Sequence, residues 1–410
     1  MKVQKIVTIN SLNESSQPSR YIFFSVIIIA TIGFFATDSY LPALPAIMQA
    51  FHSSSTWVQS TITSYLCGFA FAQLIYGPLS DRHGRRNAIL VGFTIAIIGS
   101  VLCMLARNIE TLILARFIQG IGVAAGAALF RSVLRDVFSG HKFADAAATI
   151  STFFAVVPAI APVLGAYLQQ WFGWQANFLF LALYTLFCWL IVYYLMPETN
   201  LHLDHRATHF LTVIKNYRAL LTSKIFMGHV LCSSMAISTL ILYALISPFL
   251  FQSVFHLTPV EYGCLGFYIA AGLLFGKLVN KWLLHRMDFL RVMLLGIVIN
   301  LIVATVLLMT GIFTLLNLAV IMSLIVMLVI GCSFILSNAA AGAFTPFPHI
   351  AGTASGLFGC LQVLGAFITG QIASLFHIHN QLPFATMVMI LYVIALVGYV
   401  FLLKPCDKKV

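Results

Sequence analysis

The sequence predicts an all-α polytopic membrane protein with about twelve spanning helices in two sets of six. Three observations carry that expectation. First, 61% of the residues are hydrophobic and only 8% charged, against about 25% charged in a soluble domain; mean hydropathy is +1.00. There is too little polar surface to face water all round, so most of it must face lipid. Second, apolar stretches recur at the ~20 residues that cross a ~30 Å hydrocarbon core at ~1.5 Å per residue. Third, the period-two alternation of a lipid-facing barrel is absent.

In order, the expected spans are 21–47, 58–80, 87–107, 110–136, 145–170 and 176–196, then 224–252, 260–282, 288–311, 315–338, 350–376 and 381–403. A polar tail, 1–20, precedes the first span, which is too long for a signal peptide. The links are short except 197–223, which divides a bundle at 21–196 from one at 224–403; 404–410 is a tail. All but Arg107 and Arg116 of the 22 Lys and Arg fall on one face if the N-terminus is cytoplasmic. That asymmetry predicts cytoplasmic termini and explains the net charge of +11 as a topology signal, not a nucleic-acid surface.

Within 197–223, Phe210, Ile214, Tyr217 and Leu221 recur at helical spacing around Lys215 and Arg218. That pattern suits a helix lying in the interface, or a plain charged linker. His202, Asp204, His205 and His209 in the same link have a spacing a metal could use. With no cysteine or second acid nearby, solvated histidines are the better reading, as for His377 and His379, and no metal is expected. The eight cysteines form no CxxC, and seven sit in apolar segments, as small buried hydrophobes do. Gly276 to Lys281 echoes Gly77 to Arg82, with Asn280 in place of Asp81. Such repetition suits two pseudo-symmetric six-helix bundles related by an axis along the membrane normal.

Two charges interrupt spans. Asp38 follows 17 uncharged residues of the first span. A carboxylate at a helix centre costs about 2.5–3.5 kcal/mol on the insertion scale, so it either faces a bundle interior or lies where the helix reaches the outer interface; Pro42 and Pro45 would end or kink the helix early. Arg116 lies six residues into the fourth span, with Gln119 one turn on and Gly120, Gly122 and Gly126 following. The GxxxG of Gly122 and Gly126 admits a close neighbour. Arg116 either points inward or snorkels to headgroups. Facing inward, Asp38 is a proton site and Arg116 the cation that tunes it. Candidate cavity residues are Phe34, Tyr40, Tyr65, Phe69, Gln73, Gln119, Tyr243, Tyr268 and Asn338, an aromatic set with a few polar atoms that suits amphipathic small molecules. Pro158, Pro162 and Gly165 in the fifth span permit bending.

The stretch GPLSDRHGRR, Gly77 to Arg86, resembles the loop between helices two and three of the major facilitator superfamily, matching Gly-x-Leu-x-Asp-Arg-x-Gly-Arg-Arg throughout. The resemblance implies that Gly77, Asp81, Arg82, Gly84, Arg85 and Arg86 form a cytoplasmic latch. Leu112, Arg116, Gln119 and Gly120 resemble the helix-four motif, whose Arg is linked to proton coupling. The helix-five antiporter motif is matched only at Pro162 and Gly165; Val157, Ala161 and Ala166 replace glycines. Thr37 to Pro45, Pro346 to Gly359 and Pro197-Glu198-Thr199 resemble the Bcr/CflA drug-resistance exporters. The whole resemblance implies a monomeric, proton-coupled multidrug antiporter of a bacterial inner membrane, working by alternating access with no cofactor beyond the proton gradient. A transporter of one metabolite or siderophore, in either direction, is the alternative. Paired intramembrane acids, a His–Glu–x–x–His or an inward Ser–His pair, which an intramembrane enzyme would need, are absent; a sensor or scaffold that has lost transport stays open.

Overall fold

The computed structural model describes residues 16–404 apart from 139, 201–202, 204–209, 315–316, 348–349 and 377–379. The histidines of the link (202, 205 and 209), Asp204, His377 and His379 therefore lie outside the described residues. All regular structure among the described residues is helical: α1 (Ser16–Asp38), α2 (Leu44–Ala50), α3 (Ser55–His83), α4 (Arg85–Met104), α5 (Ile109–Val137), α6 (Gly140–Phe172), α7 (Gln175–Leu195), α8 (Phe210–Thr222), α9 (Lys224–Phe249), α10 (Pro259–Leu284), α11 (Phe289–Ile312), α12 (Leu318–Phe344), α13 (Ala351–Ala373) and α14 (Leu382–Gly398). Single π-helical segments, Leu250–Val254 and Tyr399–Leu403, extend α9 and α14. Among the described residues eleven helical stretches are long and apolar enough to cross a membrane. α6, which holds the expected fifth span, runs 33 residues and packs between α1 and α10.

Helices α1 and α3–α7 pack mainly on one another, as do α9–α14; α6 against α10 and α3 against α13 join the two sets, and α8 rests on α9 and α13. Lipid gives no hydrophobic drive for helix association, so contact area must come from small residues. α5 shows how. Its Gly122 lies on the backbone of Ala96 in α4, and a Cβ at Gly126 would sit 2.6 Å from the Ile29 carbonyl oxygen of α1. One glycine-bearing helix thus receives a neighbour on each of two sides. Between the sets, Pro162 has no N–H for the Pro158 carbonyl. Gly266 of α10 closes over that freed carbonyl, where a Cβ would come within 2.9 Å.

Two of the differences from the expected boundaries shape the site. The first span does not run unbroken to residue 47. α1 ends at Asp38, a turn at Leu41–Ala43 follows, and α2 restarts at Leu44. Pro42 and Pro45 stand in the first turns of the two new elements, positions that proline favours and that force a fresh start. The expected loop after the second span is almost wholly helix: α3 continues to His83, and Gly84 alone, at φ +90°, separates it from α4.

Candidate functional site

A cavity of about 340 Å³ lies between the two sets of helices. α1 contributes Phe34, Thr37 and Asp38; α3 contributes Tyr65, Phe69 and Gln73; α5 and α6 contribute Phe130, Arg131, Phe154, Pro158 and Pro162. From the other side come Ile237, Leu240, Ile241 and Tyr243 of α9, Tyr262, Gly266 and Leu273 of α10, and Gln362 of α13. Six of the proton-site and cavity candidates thus meet on one cavity: Phe34, Asp38, Tyr65, Phe69, Gln73 and Tyr243. Phe34 packs on Phe154, which packs on Phe130, with ring centroids 5.1 and 5.4 Å apart.

Asp38 reaches the cavity because its helix stops there. Asn177 of α7 supports the break: with its amide turned to satisfy its neighbours, its nitrogen donates to the carbonyls of Ser39, at 3.0 Å, and Gly165, at 3.2 Å. The Asp38 carboxylate makes no ion pair among the described residues. Tyr65, Tyr243 and Tyr262, two of which belong to the second set of helices, line the same cavity.

Arg116 is fully buried. Its guanidinium lies 4.4 Å from the Tyr65 ring centroid, 4.7 Å from Tyr40 and 5.9 Å from Phe178. A desolvated cation over an aromatic face gains about 2 kcal/mol. Nη1 donates to the Ala36 carbonyl, 3.2 Å away, and to Gln119 Oε1; Nε and Nη2 have no hydrogen-bond partner among the described residues. Gln119 Nε2 in turn donates to Ser100 Oγ, 2.7 Å away, and the Tyr40 hydroxyl pairs with Thr61 at 2.6 Å. Tyr40 and Gln119 therefore surround Arg116 and do not line the cavity. Gly120 makes room for this arrangement, since a Cβ there would strike the carbonyl of Tyr65. Arg116 and Asp38 are not ion-paired; Arg116 holds the Ala36 carbonyl two residues before Asp38 and lies over the Tyr65 ring, which lines the same cavity as Asp38.

The other candidates are placed elsewhere. Tyr268 is 59% exposed on the outer face of α10. Asn338 is buried and donates to Asn280 Oδ1 at 2.7 Å, so the residue standing where the first half has Asp81 is tied to α12. Pro158 and Pro162 line the cavity, while Gly165 packs against Ser39 at the α1 break.

The latch residues form a network within the first set of helices. Arg85 binds Asp81 and Ser80 through Nη1 and Asp136 through Nε, at 3.1 Å. Glu198 accepts from the backbone N–H groups of Arg85, at 2.8 Å, and Arg86, at 3.1 Å. Arg86 donates to the Tyr193 carbonyl at 2.6 Å, Thr199 reaches Asp136 at 3.4 Å, and Gly77 leaves open space beside it. Sequence reasoning did not place Glu198 and Asp136 in this network. The available signal was an acid directly after the sixth span and another at the end of the fourth, facing three arginines. It also left out Tyr262, Arg131 and Gln362 as cavity residues.

The family model described as Major Facilitator Superfamily matches residues 26–370. An uncharacterized MFS-type transporter, YdgK, of Bacillus subtilis strain 168 is 30% identical over 378 residues, 90% of this chain and 91% of its own length. A bicyclomycin resistance protein homolog of Haemophilus influenzae is 25% identical, covering 95% of this chain and 98% of its own. Among solved structures, a D-xylose-proton symporter superposes with a TM-score of 0.72 at 16% identity, covering 93% of this chain and 97% of that one; this likeness concerns the fold.

Proposed function

The chain belongs to the Major Facilitator Superfamily, a family of transporters and not of enzymes, and from that premise we propose that it exports amphipathic small molecules in exchange for protons. The two six-helix sets rock about the central cavity in alternating access. One observation carries the proton coupling: Asp38, without a cation partner among the described residues, ends its helix on a largely aromatic and aliphatic cavity that both sets line. An ionised carboxylate is costly there, whereas a protonated one is not, so cargo entry and proton binding compete for the same space. Arg116 tunes this site through the Ala36 carbonyl and the Tyr65 ring. The Arg85–Asp81–Asp136 network, capped by Glu198, keeps the first set rigid at its latch. In this reading the latch face is cytoplasmic, the membrane is a bacterial inner membrane, and the domains are the bundles at 21–196 and 224–403 joined by 197–223. Export is favoured over uptake because a drug-resistance relative covers nearly the whole chain.

The test is flux in proteoliposomes under an imposed pH gradient. Asp38→Asn should abolish gradient-driven accumulation while leaving protein yield unchanged and downhill exchange measurable. If the variant still accumulates cargo against its gradient, Asp38 is not the proton site. Growth on a defined iron source that depends on this chain, without any change in resistance profile, would instead favour a siderophore or single-metabolite carrier.

A further inference from the structure

The cavity holds a second charge that the transport cycle above does not use. Arg131 lies six residues inside the C-terminal end of α5 and is exposed, yet it lines the cavity. Its guanidinium stands 5.0 Å from the Phe130 ring centroid, and Nη1 lies 3.5 Å from Ser355 Oγ of α13, in the other set of helices. Gln73 and Gln362 line the same cavity. Arg116 touches the backbone two residues before Asp38, and fifteen residues of helix, about 22 Å, separate Arg116 from Arg131. Asp38 and Arg131 therefore mark opposite ends of one apolar chamber, and at such a distance each charge acts on its own end of a bound molecule.

Among the described residues, the ionisable side chains lining the chamber are Asp38, Tyr65, Tyr243, Tyr262 and Arg131. Asp38 is their only acid. With Asp38 ionised the chamber is neutral overall; with Asp38 protonated it is positive. It is never negative. We propose that Arg131 is the specificity-determining residue of the chamber, selecting amphipathic cargo that carries an anionic oxygen head, such as a carboxylate, over lipophilic cations of the same shape. The apolar body lies among Phe34, Phe130, Phe154 and Leu240, and the head meets the guanidinium, whose planar fork suits a carboxylate. This rests on the proton-coupled reading of the same cavity.

A matched pair of probes decides it: 1-naphthaleneacetate and 1-naphthylmethylammonium, with neutral 1-naphthaleneacetamide as the reference. Binding is measured by equilibrium dialysis against the purified full chain in nanodiscs. The wild type should bind the acid about tenfold or more tightly than the ammonium, the scale on which a single mismatched charge discriminates. Arg131→Gln should bring that ratio near one while the neutral amide still binds; Arg131→Lys should keep most of the preference. A wild-type ratio near one overturns the proposal, and so does failure of any probe to bind. A ratio unchanged in Arg131→Gln, with both affinities moved together, also overturns it and makes Arg131 a gate contact to Ser355. Flux of the neutral amide under a pH gradient is scored separately: its loss with the binding ratio intact sinks proton-driven export and leaves charge selection by Arg131 standing.

Discussion

Replacing Glu198 should loosen the first set of helices by an amount the structure allows one to estimate. α4 begins at Arg85 directly after Gly84, which has no side chain to cap it. The first N–H groups of a helix have no intrahelical partner, and here two are taken by a carboxylate more than a hundred residues away in sequence. Hydrogen bonds to a charged group contribute about 1.5–3 kcal/mol each, an N-cap about 1 kcal/mol, and partial exposure of Glu198 lowers both. Glu198→Ala should therefore cost about 2–3 kcal/mol. Glu198→Gln, which keeps one acceptor and loses the charge, should cost about 1 kcal/mol. At roughly 2–4 °C per kcal/mol for a unit of this size, the midpoint should fall by about 5–10 °C for alanine and 2–4 °C for glutamine. Thermal unfolding of the purified transporter measures the shift, and hydrogen exchange locates it: the amides of Arg85 and Arg86 should lose protection in Glu198→Ala. An alanine variant that melts within about 1 °C of wild type, with both amides still protected, would refute the claim that this distant carboxylate caps α4.

Two further outcomes follow from the same geometry. Arg116 has no acidic partner among the described residues, and apolar replacement of a buried charge is often neutral or stabilising by about 1–4 kcal/mol; Arg116→Met should hold or raise the melting midpoint while abolishing gradient-driven flux, and a fall of more than about 5 °C would make Arg116 a packing residue. A Cβ at Gly370 would lie 2.7 Å from Thr63 Cγ2 across the α3–α13 contact, close to what a disulfide spans, so Thr63→Cys with Gly370→Cys should link the halves under oxidant, read on a gel after proteolysis of the 197–223 link. The link should stop transport until reductant is added; a fully linked protein that still transports would show that α3 and α13 need not part at this point.

The fold was legible because a spanning helix is specified by its own composition; the site was only partly so, because a side chain's role depends on which neighbour its helix turns towards. α10 shows the difference. Tyr262 and Tyr268 lie six residues apart, about 600° of helix, which puts them on different sides. Gly266, Ile269 and Leu273 continue the Tyr262 side along the cavity, while Tyr268 faces outward. Nothing within α10 ranks one tyrosine above the other. The ranking comes from α6, whose Pro162 frees the Pro158 carbonyl that Gly266 covers, and which thereby fixes the side of α10 that turns inward. Arg131 was hidden by the opposite error of scale. Six residues from a helix end, it counts as a face charge in a topology census, yet about 9 Å of helix is enough to bring it beside Phe130 in the cavity. Asp38 and Arg116 stood out because they interrupt apolar runs, and Tyr40 and Gln119 were grouped with the cavity because they share those runs. The glycines of α5 decide the matter. They let α1, α3 and α4 come so close to Arg116 that Tyr40 and Gln119 are spent on enclosing its charge, and the cavity wall is left to the helix faces one turn further on.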